Sequence, residues 1–146
     1  MQNYYRITLL AVLLSFNTIK AQESSPSWTL VDFIKTDSIN PILSPNAKQT
    51  FNCPVSKSFV NWGERNVLNP SAIVKDNKVY LIYRAQDNQM TSRLGLAISD
   101  DGLHFKKEVE PIFFPDNDTM NGYEWKGGVE DPRVIECPDG SYFMTY

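Results

Sequence analysis

The sequence predicts an all-β chain arranged as blades of a β-propeller. Three observations carry that prediction. Helical periodicity is nearly absent beyond the N-terminal apolar stretch. Short runs rich in Val, Ile, Tyr and Phe are separated by Asn, Asp and Gly, the residues that tolerate the positive φ of tight turns. One hairpin also occurs twice: "NPSAIVKDNKVYLIY" at Asn69–Tyr83 and "DPRVIECPDGSYFMTY" at Asp131–Tyr146 both run polar residue, proline, apolar strand, acidic turn and aromatic strand ending in tyrosine. A repeat of about four strands, somewhat longer than the ~40–50 residues usual for propeller blades, favours blades with long loops over the competing pair of tandem sandwiches.

The N-terminus reads as a secretory signal peptide. Arg6 supplies the positive charge and Ile7–Phe16 is apolar but too short to span a bilayer comfortably. Ala21 is a cleavage point, giving segments 1–21 (signal) and 22–146 (mature domain), an exported protein, periplasmic or extracellular, with no membrane attachment after cleavage. Removing 1–21 takes away Arg6 and Lys20 and no acid, so the net charge of −3 becomes −5. An acidic mature chain argues against nucleic acid and anionic membrane surfaces as partners. The rest of the composition, 42% hydrophobic and 21% charged, is that of a globular domain. Cys53 and Cys137 read as free or buried thiols, with a disulfide as the alternative that export leaves open. One histidine, His104, and no spaced Cys/His cluster argue against a zinc site, so no metal is expected.

Each element has a local cause. Ala72–Tyr83 reads as a hairpin turning at Asp76-Asn77. Arg93–Glu108 reads as a second, with its turn at "DDG". Arg133–Tyr146 is a third, turning at Pro138-Asp139-Gly140 with one extra residue. "NPIL" at Asn40–Leu43 and "EPIF" at Glu110–Phe113 read as outer-strand echoes. Pro70 and Pro132 are expected to begin equivalent inner strands, since proline suits a strand's first position. Proline is also expected to impose an extended conformation on Asn69 and Asp131 before it. This arrangement gathers Arg84–Arg93 and Pro115–Gly128 as long loops at one end, where functional residues concentrate.

At that end lies "GGVEDPRV" (Gly127–Val134), whose paired carboxylates gain nothing from burial. Asp131 takes the place of Asn69 in the other copy. Glu130 and Asp131, read as strand neighbours, face opposite ways, so only Asp131 faces the cavity. The glycines let a backbone approach closely. By itself Asp-Pro is a common turn initiator. The repeat, together with Arg84, Asp87, Asn88 and Arg93 at the same end, favours a functional site. Tyr123 and Trp125 offer flat faces for sugar stacking or for anchoring the loop. Glu130 is a neighbour able to tune the acidity of Asp131.

These stretches, with "TSRLGLAISDDGLHF", "PIFFPDND" and "YEWKGGVEDPR", resemble glycoside hydrolase family 130, the β-mannoside phosphorylases and related β-mannosidases, from about Asn40 to Tyr146. The resemblance implies a five-bladed propeller of which this chain covers about the first two blades, with the family's phosphate-gripping basic residues beyond Tyr146. Two blades alone would be inactive, their strand edges open. It implies Asp131 as general acid, and Asn69, Arg84, Asp87 and Arg93 as ligands of the mannosyl unit. The expected activity is inverting phosphorolysis of a β-1,4-mannoside to mannose 1-phosphate. Inorganic phosphate is the co-substrate, there is no cofactor, and the partner is a β-mannoside oligosaccharide; a homo-oligomer is compatible with this. The alternatives are β-mannoside hydrolysis, which export favours, a carbohydrate-binding propeller without catalysis, and an interaction propeller. Retention of "EDPR" argues against the second.

Overall fold

The structure, a computed structural model, describes residues 33–146. The signal segment 1–21 lies outside the described residues. The chain divides into two units, Met1–Lys35 and Thr36–Tyr146, and every described strand and helix belongs to the second. The architecture is all-β apart from one helical turn. β1 (Phe51–Cys53) pairs with β2 (Ser58–Val60). β3 (Asn66–Lys75), β4 (Lys78–Gln86), β5 (Ser92–Ser99) and β6 (Lys106–Lys107) form an antiparallel meander in that order, the layout of one blade. The turn α1 (Asn121–Glu124) follows, and then the hairpin of β7 (Arg133–Glu136) and β8 (Tyr142–Thr145).

The repeat holds residue by residue. β3 pairs Ser71 with Ile82 and Lys75 with Lys78, whereas β7 pairs Arg133 with Thr145, shifted by the extra turn residue. Asp76 and Asn77 have φ of 50° and 57°, which is why an Asp-Asn pair closes the first hairpin. In the second, Gly140 takes the left-handed position at φ 80°, and Cys137 N donates to Ser141 O at 2.8 Å. The two hairpins lie in separate sheets, as successive blades require. Their first strands touch where Val134 N donates to Ser71 Oγ at 3.1 Å.

Four details differ from the sequence reading. β3 starts at Asn66, upstream of Pro70, and crosses the proline by a register shift between Leu68 and Ser71, because Pro70 has no N–H for the ladder. Asn69 and Asp131 are not extended; their φ values are 48° and 47°. Proline disfavours the right-handed region for its predecessor, but Asn and Asp tolerate the left-handed one, and both copies use it. The "DDG" turn is a wider connection, 100–105, gathered by Asp101, whose Oδ1 accepts from Leu103 N and His104 N at 2.8 Å. Asn40–Leu43 forms no strand, and "EPIF" makes only an isolated bridge between Phe113 and Leu94.

Strand alternation splits the blade into two faces. Leu81, Tyr83 and Ala85 of β4 and Ala97 of β5 join Phe51, Cys53 and Trp62 in the buried core. Arg84 and Gln86 lie on the opposite face. Gly95 sits opposite Tyr83, and a Cβ there would fall 2.4 Å from Tyr83 Cζ and 2.7 Å from Trp62 Cη2. Glycine is therefore required for the Trp62–Tyr83 stack, whose ring centroids are 6.3 Å apart. Cys53 and Cys137 are both free. In the whole protein, Gly95→Ala is expected to cost about 1–3 kcal/mol through overpacking, read as a lower urea midpoint with unchanged slope. An unaltered midpoint would mean the aromatic pair yields without strain.

Candidate functional site

The segment Gly127–Asp131 is fixed to β5 through its backbone. Ser92 N donates to Gly127 O at 2.8 Å, and Val129 N donates to Ser92 O at 3.1 Å. Gly128, at φ 99°, passes so close that a Cβ would lie 2.1 Å from Ser92 O and 2.3 Å from Ser92 N. Gly128 is thus the glycine of the pair that the close approach demands; a Cβ on Gly127 would meet nothing.

That anchoring brings both carboxylates to one guanidinium. Arg84 Nη1 donates to Asp131 Oδ1 at 3.1 Å, and Arg84 Nη2 pairs with Glu130 Oε1. The expectation that Glu130 turns away from Asp131 is therefore wrong. Both precede β7, and the positive φ of Asp131 breaks the alternation that a strand would impose. Asn69 Nδ2 donates to the same Asp131 Oδ1 at 2.7 Å, so the equivalent residues of the two repeats meet. Arg84 lies on β4 itself, not in the following loop, which is only residues 87–91.

Asn69 first, and then Arg84 with Arg133 adding its field, hold the Asp131 carboxyl below the usual aspartate range. These groups favour the ionised carboxylate of Asp131. Arg133 donates to the backbone carbonyls of Asp131 and Pro132, at 3.2 and 3.0 Å.

Asp87 and Arg93 are placed elsewhere. Arg93 pairs with Ala85 across the sheet and so lies on the core face, opposite to Arg84. It is 1% exposed and Asp87 is 6% exposed. Arg93 Nη1 donates to Asp87 Oδ2 at 2.8 Å, while Asp87 Oδ1 accepts from Gln89 N and Thr91 N at 2.9 and 3.0 Å. The expected sugar ligands instead close the β4–β5 loop and hold it on the core. Trp125 packs against the core cluster, which is the anchoring role. Tyr123, on α1, is 86% exposed and borders a cavity of about 780 Å³ that also touches Glu130 and Tyr146. In its wall Tyr146 Oη donates to the buried Glu124 at 2.7 Å, and that bond raises the phenol's pKa.

The residues the sequence reading missed are Ser92 and Gln86. Ser92 Oγ lies 3.0 Å from Arg84 Nε, 3.1 Å from Glu130 Oε1 and 3.1 Å from Gln86 Nε2. The available signal was the spacing of Arg84 and Gln86, two residues apart on one strand face.

The sequence pattern of a family described as β-1,4-mannooligosaccharide phosphorylase matches residues 34–146. A curated 1,2-β-oligomannan phosphorylase from a Thermoanaerobacter strain is 32% identical over 120 residues, covering 77% of this chain and 35% of that protein. A solved structure from work on glycoside hydrolases of the GH130 mannoside phosphorylase family that target β-1,2 mannosidic linkages in Candida mannan superposes with a TM-score of 0.79 at 42% identity, over 84% of this chain and 36% of that one. A putative glycosidase from Bacteroides thetaiotaomicron gives 0.77 at 44% identity, over 82% and 36%. The chain thus spans about a third of the length of these relatives.

Two outcomes follow from the geometry. Asp87→Ala in the whole protein leaves Arg93 as an unpaired buried charge, a loss on the order of 3–5 kcal/mol, visible as a large drop in melting temperature. A small drop would leave Asp87 available for the mannosyl-binding role first expected. Asn69→Ala removes the main bond holding Asp131 ionised, so its carboxyl should titrate at higher pH, closer to an ordinary aspartate. The ionised Asp131 stabilises the fold above the unfolded aspartate range, and that contribution is lost as pH falls through its lowered value; the variant should lose it at higher pH. Carbon-13 NMR of the aspartate carboxyls measures the shift, and an unmoved titration would show that Arg84 alone sets it.

Proposed function

Because the chain belongs to glycoside hydrolase family 130, we propose that the whole protein cleaves β-mannosidic bonds of oligosaccharides with Asp131 as the general acid. Asn69 and Arg84 hold the mannosyl unit beside it. The observation that carries this reading is the convergence of Asn69 and Arg84 on a single oxygen of Asp131, at 2.7 and 3.1 Å, at the lip of the second repeat. Donors so placed can exchange a carboxylate oxygen for sugar hydroxyls. That exchange removes what keeps Asp131 ionised, and the water that the sugar excludes raises the carboxyl further. Tyr123 offers a face to the sugar chain.

The first reading of the reaction is phosphorolysis with inversion. Asp131 protonates the leaving oxygen while inorganic phosphate attacks the anomeric carbon from the opposite face. The bond to the leaving sugar breaks, and mannose 1-phosphate forms without a protein base or a cofactor. The family description and the curated phosphorylase support it. The second reading is hydrolysis, in which a base activates water across a separation of roughly 6.5–9.5 Å. It is supported by the 42%-identical structure from work on hydrolases of this family and by the signal-like 1–21 segment, since sugar phosphates serve a cytoplasm. Under either reading the protein works in the periplasm or outside the cell. The family description names β-1,4 bonds, and two relatives carry β-1,2 in theirs, so both linkages are substrates to test.

In the whole protein, Asp131→Asn should lower kcat by about 10²–10⁴ while leaving folding and mannoside binding intact. The loss should shrink for nitrophenyl mannosides, whose leaving groups need little protonation. Mannose 1-phosphate formed only with phosphate present identifies the phosphorylase, and free mannose at equal rates with and without it identifies the hydrolase. Near-full activity of Asp131→Asn on a natural β-mannoside, with loss in Glu130→Gln instead, would overturn the assignment.

A further inference from the structure

We propose that Ser92 is a positioning residue of the mannosyl site, its hydroxyl holding Arg84 and Glu130 in place around Asp131. This rests on the reading of Arg84 as a sugar-holding group.

A serine hydroxyl has one proton to donate and two lone pairs to accept with. At Ser92 all three are committed. The hydroxyl donates to Glu130 Oε1 at 3.1 Å, and accepts from Arg84 Nε at 3.0 Å and from Gln86 Nε2 at 3.1 Å. Since Gln86 and Arg84 can only donate through those nitrogens, the hydroxyl proton has one destination, the Glu130 carboxylate. The direction of every bond is set by composition alone. Gln86 is itself fixed from behind, because its Oε1 accepts from Asn66 Nδ2 at 2.9 Å. Ser92 is fully buried and Gln86 is 4% exposed, so water does not compete for these groups.

The backbone of Ser92 holds the same segment that its side chain reaches, through Gly127 O and Val129 N. One residue therefore fixes both the path of the carboxylate-bearing loop and the rotamers of the charged groups. Arg84 is held at three points, by Ser92 at Nε, Asp131 at Nη1 and Glu130 at Nη2, yet its fork has five N–H donors. The remaining donors are those a sugar hydroxyl can take. Without the Nε anchor a long side chain must be ordered each time sugar binds, which costs binding free energy. Ser92 touches no substrate in this scheme; it acts through Arg84 and Glu130.

The test uses Ser92→Ala in the whole protein, which removes the hydroxyl without adding volume beside Gly128. The Arg84 Nε–H proton, followed by ¹H–¹⁵N NMR, should exchange with solvent about tenfold faster than in the wild type. KM for the β-mannoside should rise about tenfold, the size expected for one lost hydrogen bond to a charged group, with a smaller fall in kcat. Gln86→Met, which leaves the Ser92 hydroxyl in place with a partner missing, should move both readings in the same direction by a lesser factor, and it decides the matter if Ser92→Ala does not fold. Unchanged Nε exchange and unchanged KM, with only the melting temperature lowered, would overturn the proposal and make Ser92 a packing residue. A wild-type protein that cleaves no β-mannoside would instead overturn the functional reading, while the Nε exchange would still report whether Ser92 holds Arg84.

Discussion

The structure of the site depends on one close approach, that of Gly128 to the backbone of Ser92. No side chain can stand where a Cβ would lie 2.1 Å from a carbonyl oxygen, and the φ of 99° is open to glycine at little cost. The approach joins β5 of the first repeat to the lead-in of the second. It converts two sheets that share no ladder into a unit with defined spacing at one end. The positions of Glu130 and Asp131 follow, because Val129 between them and Gly128 is buried and bonded to Ser92. A bulkier residue at 128 would move the carboxylates before it touched either of them.

The second constraint is the two-residue period of the strands. It sends Arg84 and Arg93, nine positions apart in sequence, to opposite faces of one blade. On the core face a guanidinium is tolerable only with a partner, and Asp87 is that partner. On the other face a guanidinium can be shared, and Arg84 is shared between two carboxylates that are each nearly half exposed. The two arginines have the same chemistry, and it is the burial of their surroundings that separates a loop clamp from a guanidinium shared at the rim. Surface screening leaves the Arg84 pairs weak as contributors to stability. Their worth is geometric: a forked donor fixes the angle at which two acids face the same space.

Much of this was legible in the sequence. The two hairpins, their turn residues, the one-residue difference between them and the equivalence of Asn69 and Asp131 all follow from repeat and turn chemistry, because those are local. What was not legible depends on register. The period of the strands assigns faces only once the pairing is known, and the bulge at Asn69-Pro70 lies within the strand it was expected to begin. Asp87 and Arg93 read as mannosyl ligands because charged residues in a polar loop usually face outward. Ser92 carried no signal, since a serine at a strand edge is common and its importance lies in what the third dimension brings to it. The left-handed conformation of Asn69 and Asp131 was missed for a related reason. The rule for residues before proline favours extended backbone, and Asn and Asp, which tolerate the left-handed region, depart from it at both positions.

The protonation of Asp131 ties these strands of reasoning together. A group that gives up a proton must first hold one, yet Asn69 and Arg84 both stabilise the anion. The same two residues are the ones proposed to grip the sugar, and this removes the contradiction. Where Asn69 Nδ2 and Arg84 Nη1 turn from Asp131 to mannosyl hydroxyls, the bonds that favour the anion are lost, so in this scheme ligand binding and the rise in the Asp131 pKa are one event. Arg84 can make that exchange without leaving its place, because Ser92 and Glu130 keep hold of it through other nitrogens. Glu130 then remains as the nearby negative charge. With the direct bonds from Asn69 and Arg84 withdrawn, the Asp131 carboxylate loses its largest stabilisers, and the charges of Arg84 and Arg133 that still favour it are opposed by Glu130. In this scheme the pair of carboxylates is not redundant: one retains the arginine so that the other can be released from it.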